Sequence, residues 1–377
     1  MVEHADVAVV GGGIAGVSVA HALAEAGADV VLLEAEGVLA HHTTGRSAAI
    51  LVDSLGTPPT WPLTAASRDW LVDPPADLVD HDLLTPRGVL TIATAADADR
   101  LDEIEEESRR ADTPVSRLDA AQARDVVPHL ADVVVGAVWE PEPSDIDVAG
   151  LHQAFVRGLR RAGGRIVVGA RVVAIARHGS RWRLDTAAGD PVDVGHLVDA
   201  AGAWADEVAT MAGARPVGLQ PLRRTAFTVP CAADAVAWPM VHTAAGNCYF
   251  RPEGAGLLCS LADESPDRAH DVRPHDVDVA LAIERINALT DLDIRHVERA
   301  WAGLRTFAAD RTMVIGPDPD VDGFTWLAGQ GGTGIQTAPA AARLAAAHVL
   351  GQDLSGVVPG ADPAAYLPGR LHGGPRA

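Results

Sequence analysis

Gly11-Gly12-Gly13-Ile14-Ala15-Gly16 sets three glycines at the spacing GxGxxG. An apolar run, Asp6–Val10, leads into it. A stretch with Ile14, Val17, Ala20 and Leu23 on one helical face follows, and Gly27 ends that stretch. A second apolar run, Val30–Leu33, stops at Glu34, 23 positions after Gly11. Strand, glycine turn, helix, strand and acid in this order are the context that makes the motif a dinucleotide site. Gly11 allows the tight turn, Gly13 lets the main chain approach a pyrophosphate, and Gly16 lets the helix lie against the strand. Ile14 and Ala15 open the helix, where free N–H groups and a partial positive charge suit phosphate oxygens. Glu34, with Ala35 beside it, is placed to accept hydrogen bonds from ribose hydroxyls.

Two further stretches choose between dinucleotides. Thr43, Thr44, Arg46, Ser47, Ala48 and Ala49 follow the ribose-binding acid as a run of small and hydroxyl-bearing residues. Such a segment suits a path along the pyrophosphate and a flavin, where an NAD enzyme more often enters another helix. Late in the chain, Gly331, Gly332, Thr333, Gly334, Ile335 and Gln336 form a glycine-rich turn before an alanine-rich helix. N–H groups there can face the pyrimidine edge of a flavin, where negative charge collects on reduction. The expected cofactor is therefore FAD. The chain has no lysine, so all 30 fixed positive side chains are arginine, and no lysine Schiff base or lysine base exists.

The elements that must position these residues are legible in outline. A charged helix is expected over 97–111. Asp147 reads as the N-cap of a helix running to Arg161, and Gly163-Gly164 close it. Arg165–Ala176 and Arg181–Asp185 alternate like a hairpin, His196–Ala201 reads as a strand, and 216–260 carries several strand-like runs. Gly323–Ala328 is a strand before the glycine turn, a helix then runs to Leu350, and the tail from Pro359 reads as irregular. The fold expected is α/β: a Rossmann-like FAD-binding domain, discontinuous in sequence, with an inserted β-rich substrate domain. The FAD-binding segments are 1–82, 143–215 and 305–377, and the substrate-domain segments are 83–142 and 216–304.

Composition narrows the partners. A formal charge of −21 over 377 residues disfavours nucleic acid and anionic lipid. No apolar run reaches the roughly 18 residues needed to cross a bilayer. The first residues, Met1-Val2-Glu3-His4, lack the basic start of a secretory signal, so a cytoplasmic protein is expected. The three cysteines, Cys231, Cys248 and Cys259, are odd in number and without metal-like spacing, which points to reduced thiols.

Taken together, Val9–Gly16, Thr44–Ala49, Leu63–Arg68, Asp199–Trp204, Gly218–Pro221, Trp301–Arg305 and Gln330–Thr337 resemble the FAD-dependent D-amino-acid oxidase superfamily. Within it the nearest likeness is to bacterial D-arginine dehydrogenases. The resemblance runs from residue 5 to about 350, in the family's order. It implies two domains and an extended, non-covalent FAD. It sets Val172 against the adenine through its backbone and Ser47, Ala201, Gly202 and Trp204 along the cofactor. Ser47 stands where some relatives carry the residue that links the flavin. The resemblance also implies that Arg305 binds a substrate carboxylate. Arg224 is a second arginine near it, with Arg223 as the alternative, and Tyr249 adds a hydroxyl. The Gly332 carbonyl orients the amine. The implied reaction is hydride transfer from the α-carbon of an amino acid to flavin N5. The product is an imino acid that hydrolyses to a 2-oxo acid and ammonia.

Departures from the family pattern point to an altered substrate. Val89 stands where the D-arginine enzymes read a guanidinium with glutamate, and Ile50 and Leu55 replace polar residues of the flavin-side loop. A cationic side chain buried without an anion is costly, so a less polar substrate is expected. His242, Asn247 and Asp53 are the polar residues that could substitute, while Trp61, Trp70 and Trp238 read as core or interface. Rival readings are a secondary-amine or 2-hydroxy-acid oxidoreductase and a flavin-carrying subunit of a multi-component dehydrogenase. No motif names the electron acceptor, whether oxygen, quinone or another.

Overall fold

The computed structural model describes residues 3–231 and 235–372. Its first sheet is built around β1 (Glu3–Val10), whose register runs parallel to β2 (Val30–Leu33) on one side and to Val192–Asp199 on the other. Arg165–Val167 extends the parallel set beyond β2, and Phe324–Ala328 extends it beyond Val192–Asp199. These strands are nearly continuous apolar runs because both faces are covered. Alternation splits them cleanly. Val7, Val9, Val30 and Leu32 pack with the helices α1 (Ile14–Glu25), Val148–Arg161 and Ala338–Val349. Ala8, Val10, Val31 and Leu33 pack on the opposite face with Trp182, Phe324, Trp326 and the helix Ala205–Met211.

The second sheet has nine strands and takes its residues from 89–140, 220–266 and 299–307. Its long strand Gln220–Pro230 pairs antiparallel with Arg299–Phe307 along one edge and with Gly256–Ser260 along the other. Phe227, Val229, Phe250 and Cys259 face the helix Asp276–Leu289 and form this sheet's core. The strand Arg299–Phe307 runs through the expected boundary at 304/305, so Arg305 is carried by the second sheet. A small third sheet joins Ile50–Leu51, Ser144–Ile146 and Leu84–Pro86.

Three expectations need correction. The hairpin is Val172–His178 with Arg181–Thr186, whereas Arg165–Val167 pairs with β2. Gly169, at φ +67°, and the Ala170 N–H bonded to the Glu34 carbonyl at 2.8 Å turn the chain between them. The charged helix begins at Arg100, since Asp97 instead caps a turn by accepting from the Thr94 N–H at 2.7 Å. The tail is not irregular throughout. It makes short helical turns at Pro363–Tyr366 and Pro368–Leu371, and Tyr366 is fully buried. The Asp147 cap stands as expected, with its carboxylate accepting from the Gly150 N–H at 2.9 Å.

Candidate active site

A cavity of about 460 Å³ opens at the carboxyl ends of β1, β2 and Val192–Asp199 and reaches to the second sheet. Gly11 is held at φ +111°, and a Cβ on it would lie 2.4 Å from the Ala200 carbonyl oxygen. A Cβ on Gly16 would lie 1.8 Å from the Gly11 oxygen, so only glycine allows α1 to meet the turn so closely. Gly11, Gly13, Ile14 and Ala15 line the cavity, while Gly16 stands behind it as a packing residue. Glu34 and Ala35 also line it. The Glu34 carboxylate accepts the Gly12 N–H at 2.6 Å and the Glu36 N–H at 2.7 Å, which fixes both oxygens at the end of β2. The Ile14 N–H does not stand free, because it donates to Thr44 Oγ1 at 3.0 Å.

Thr43, Thr44, Arg46, Ser47 and Ala48 line the same cavity. Thr43 Oγ1 donates to the Leu304 carbonyl at 2.8 Å and so fastens the segment to the second sheet. The Arg46 guanidinium is committed to the Val272 and Ala302 carbonyls, each at 3.0 Å, and to Asp271. Its part is to tie the two sheets together. Ala49 sits behind the lining, its carbonyl taken by the Ile146 N–H. Val172, Ala201, Gly202 and Trp204 reach the cavity from the first sheet, and Gly331, Gly332, Gly334 and Ile335 from the late glycine turn. Thr333 and Gln336 do not line it. Gln336 is 1% exposed and spends its amide on both main-chain groups of Val52 and on Thr64 Oγ1. The late helix starts at Ala338, beyond a turn in which Thr337 Oγ1 donates to the Thr333 carbonyl.

Sequence reasoning passed over several neighbours of this cavity. His152 donates from Nε2 to the Gly12 carbonyl at 3.0 Å, and burial lowers its pKa and keeps it neutral. Asp199 is fully buried at the end of its strand, and burial raises its pKa well above the carboxylate range. Arg171 reaches Glu36 at 3.2 Å, where Glu36 lines the cavity. An acid two residues past Glu34 was the available signal for the last group.

At the other end of the cavity the strand register makes the choices. Leu222, Arg224 and Ala226 lie opposite Arg305, Gly303 and Trp301 and share their face. Arg223 therefore points the other way, into Asp278 at 3.0 Å and near Asp263 and Asp267. Arg224, Arg305 and Tyr249 line the cavity together. Arg224 Nε donates to the Asp263 carbonyl at 2.7 Å. Arg305 makes no hydrogen bond or ion pair among the described residues, and its Nη1 lies 3.2 Å from where a Cβ on Gly332 would be. Burial lowers the Arg305 pKa to about 10, and the nearby Arg224 charge adds to this. Burial alone would raise the Tyr249 phenol, but Arg305 and Arg224 outweigh it and hold it below its ordinary value. His242 lies over Tyr249 with ring centroids 6.2 Å apart, and burial pushes it down to about 4.

The model of the family "DAO: FAD dependent oxidoreductase" matches residues 6–348. The chain is a member of this family of FAD-dependent oxidoreductases. The glycine oxidase of Bacillus licheniformis is 25% identical over 361 residues, which is 92% of this chain and 93% of that protein. The glycine oxidase structure from Geobacillus kaustophilus superposes with a TM-score of 0.86 at 24% identity, covering 97% of this chain and 98% of that one. The L-proline dehydrogenase structure from P. horikoshii gives 0.85 at 20% identity, with 99% of each chain covered. FAD is the cofactor of this family. The glycine cradle, the fixed Glu34 and the long cavity beside them fit a dinucleotide.

Ile50, Val52, Val89 and Met240 are not among the residues that line the cavity. Ile50, Val52 and Val89 form one buried cluster with Met240, which also packs against the cluster of Ala226 and Tyr249 that Ala48 joins. Leu55 lies outside it, 40% exposed. Asp53 is taken by Arg68, and Asn247 by Thr243. Trp70 stacks on Phe155 at 4.9 Å, and Trp238 is core. Among the described residues no helix is long and apolar enough to cross a membrane.

Proposed function

We propose that this flavoenzyme oxidises the Cα–N bond of a small amino acid, a D-amino acid or glycine-like substrate, whose side chain carries no strong positive charge. One observation carries the reading: Arg305 is a cavity-lining guanidinium with no hydrogen bond or ion pair among the described residues, beside Arg224 and Tyr249. A guanidinium held in low dielectric without a counter-charge is poised for a carboxylate, which would make two charge-assisted bonds with it. Arg224 and the Tyr249 hydroxyl flank the same end, so the acid group is fixed before the α-carbon is considered. The Gly332 main chain, packed against the Arg305 guanidinium, is then within reach of the substrate amine. Bound FAD supplies the two-electron acceptor for the α-carbon hydrogen. The chain's own contribution is orientation, with no side-chain base assigned at the α-carbon.

The residues proposed to hold the cofactor are those of the glycine cradle, Glu34, the Thr43–Ala48 segment, Val172, Ala201–Trp204 and the late glycine turn. Ser47 offers no imidazole for a covalent link, which supports non-covalent binding. Val89, at the position where the resemblance implies a guanidinium-reading glutamate, is buried with Ile50, Val52 and Met240, which supports a substrate side chain without positive charge. A second reading is a secondary amine. Relatives named for proline and for dimethylglycine stand with the glycine oxidases. The test is anaerobic mixing of the yellow holoprotein with glycine, D-alanine, L-proline, sarcosine and D-arginine while the flavin absorbance is followed. Bleaching by the small acids and not by D-arginine is expected. A flavin that none of the amino acids reduces would end both readings.

A further inference from the structure

Glu264 and Arg311 stand just outside the groups used above. Glu264 Oε1 lies 2.8 Å from Arg311 Nη2 and 3.4 Å from Arg224 Nη2, and Glu264 Oε2 lies 3.0 Å from Arg311 Nη1. One carboxylate is thus shared between two guanidiniums, unequally. Arg311 holds it with a two-pronged fork, and Arg224 touches it with one long bond. Arg311 is itself fixed. Its backbone is in the left-handed region at φ +60°, and its guanidinium stacks 3.9 Å from the centre of the Phe307 ring. Phe307 in turn presses on Gly331, where a Cβ would lie 2.1 Å from the ring. The fork is therefore anchored to the late glycine turn, while Glu264 sits in the loop after Gly256–Ser260 in the second sheet.

Resting on the carboxylate-binding reading of the cavity, we propose that Arg311 is a positioning residue that limits Glu264 to one long bond with Arg224, leaving the rest of the Arg224 fork to a substrate carboxylate. Glu264 is an internal competitor. It carries the same chemical group as the substrate's anionic end and stands within bonding distance of one of the two arginines meant to receive it. Burial would raise its pKa, but Arg311, Arg224 and Arg305 outweigh this and keep it ionised, so the competition is present at neutral pH. Without Arg311 the side chain has one strong partner left, Arg224.

The test titrates oxidised holoprotein with sodium acetate and follows the flavin absorbance, in wild type, Arg311→Met, Glu264→Gln and the double variant. Arg311→Met is expected to weaken acetate about fivefold, the size of a partly exposed ion pair. Glu264→Gln is expected to tighten it severalfold. The double variant is expected to bind as Glu264→Gln does, because the competitor that Arg311 restrains is gone. Independent structural damage would instead add the two losses. Weakening by Glu264→Gln, or additive weakening in the double variant, overturns the proposal while leaving the carboxylate site intact. A wild type whose flavin ignores acetate, with Arg305→Met identical to it, overturns the carboxylate reading and this pair together.

Discussion

The two ends of the cavity are built by different physics. At the nucleotide end the determinants are glycines and main-chain groups in close steric contact. Gly11 and Gly16 are set by contacts of 2.4 and 1.8 Å that leave no space for a Cβ, and Glu34 is held by the Gly12 and Glu36 N–H groups. At the substrate end the determinants are charged side chains on strands far apart in sequence. Arg224, Tyr249 and Arg305 meet only because Gln220–Pro230 pairs with Arg299–Phe307 and with Gly256–Ser260, which in turn pairs with Tyr249–Glu253. The lesson is that the first end fails by steric exclusion, all at once, and the second by lost charge pairing, selectively.

The largest expected effect tests the steric end. Gly16→Val places branched carbon where the Gly11 oxygen already is, and overpacking of this severity costs about 4 kcal/mol or more. Purified variant is expected to be colourless or insoluble. A yellow, folded variant would break the contrast. Next is Arg305→Met. It removes the unpaired guanidinium and should lower kcat/KM for the amino-acid substrate more than a hundredfold, about 3 kcal/mol. Flavin content and Tm should stay near wild type. Loss of flavin instead would show that the two ends are not separable.

Two smaller effects are read in pH. Burial raises the Asp199 pKa in the native state, so the folded chain holds this proton to higher pH than the unfolded chain does. The native state therefore holds the extra proton, and stability falls as pH rises above the ordinary carboxylate value. Asp199→Asn keeps an acceptor for the Ala201 N–H and cannot ionise. Thermal unfolding should show a Tm about 2 °C above wild type at pH 8 and no gain near pH 3. His242 has the opposite sign. Burial pushes it to about 4, so the unfolded chain takes up a proton first as pH falls. Its stabilising share is complete above about 6.5 and is lost as pH drops through 4. His242→Gln should flatten the acid limb of the stability curve by an amount detectable in urea midpoints. An unchanged limb would mean that the ring is not desolvated as its burial implies.

Legibility followed the same division. The helix α1, the Asp147 cap and the close packing of Gly16 on Gly11 could be read because each rests on neighbours within a few residues. Failures at this end came from partners out of local range. The Ile14 N–H is taken by Thr44, 30 residues on, and Gln336 turns away to Val52, 284 residues back in the chain. Arg46 was read as a cofactor contact, yet its guanidinium serves the Val272 and Ala302 carbonyls, which no spacing rule reveals. Composition likewise gave no hint that Glu264 and Arg311 stand together.

By itself the sequence determined the parallel βαβ core, the dinucleotide cradle and the flavin, because steric and periodic constraints act over short stretches of chain. Only the tertiary structure decided that Arg224 rather than Arg223 turns to the cavity, that the Arg305 guanidinium has no hydrogen bond or ion pair among the described residues, and that Ile50, Val89 and Met240 are buried together. Strand register sets which face a side chain takes, and a shift of one residue reverses it. That choice is made by pairing between segments some 80 residues apart.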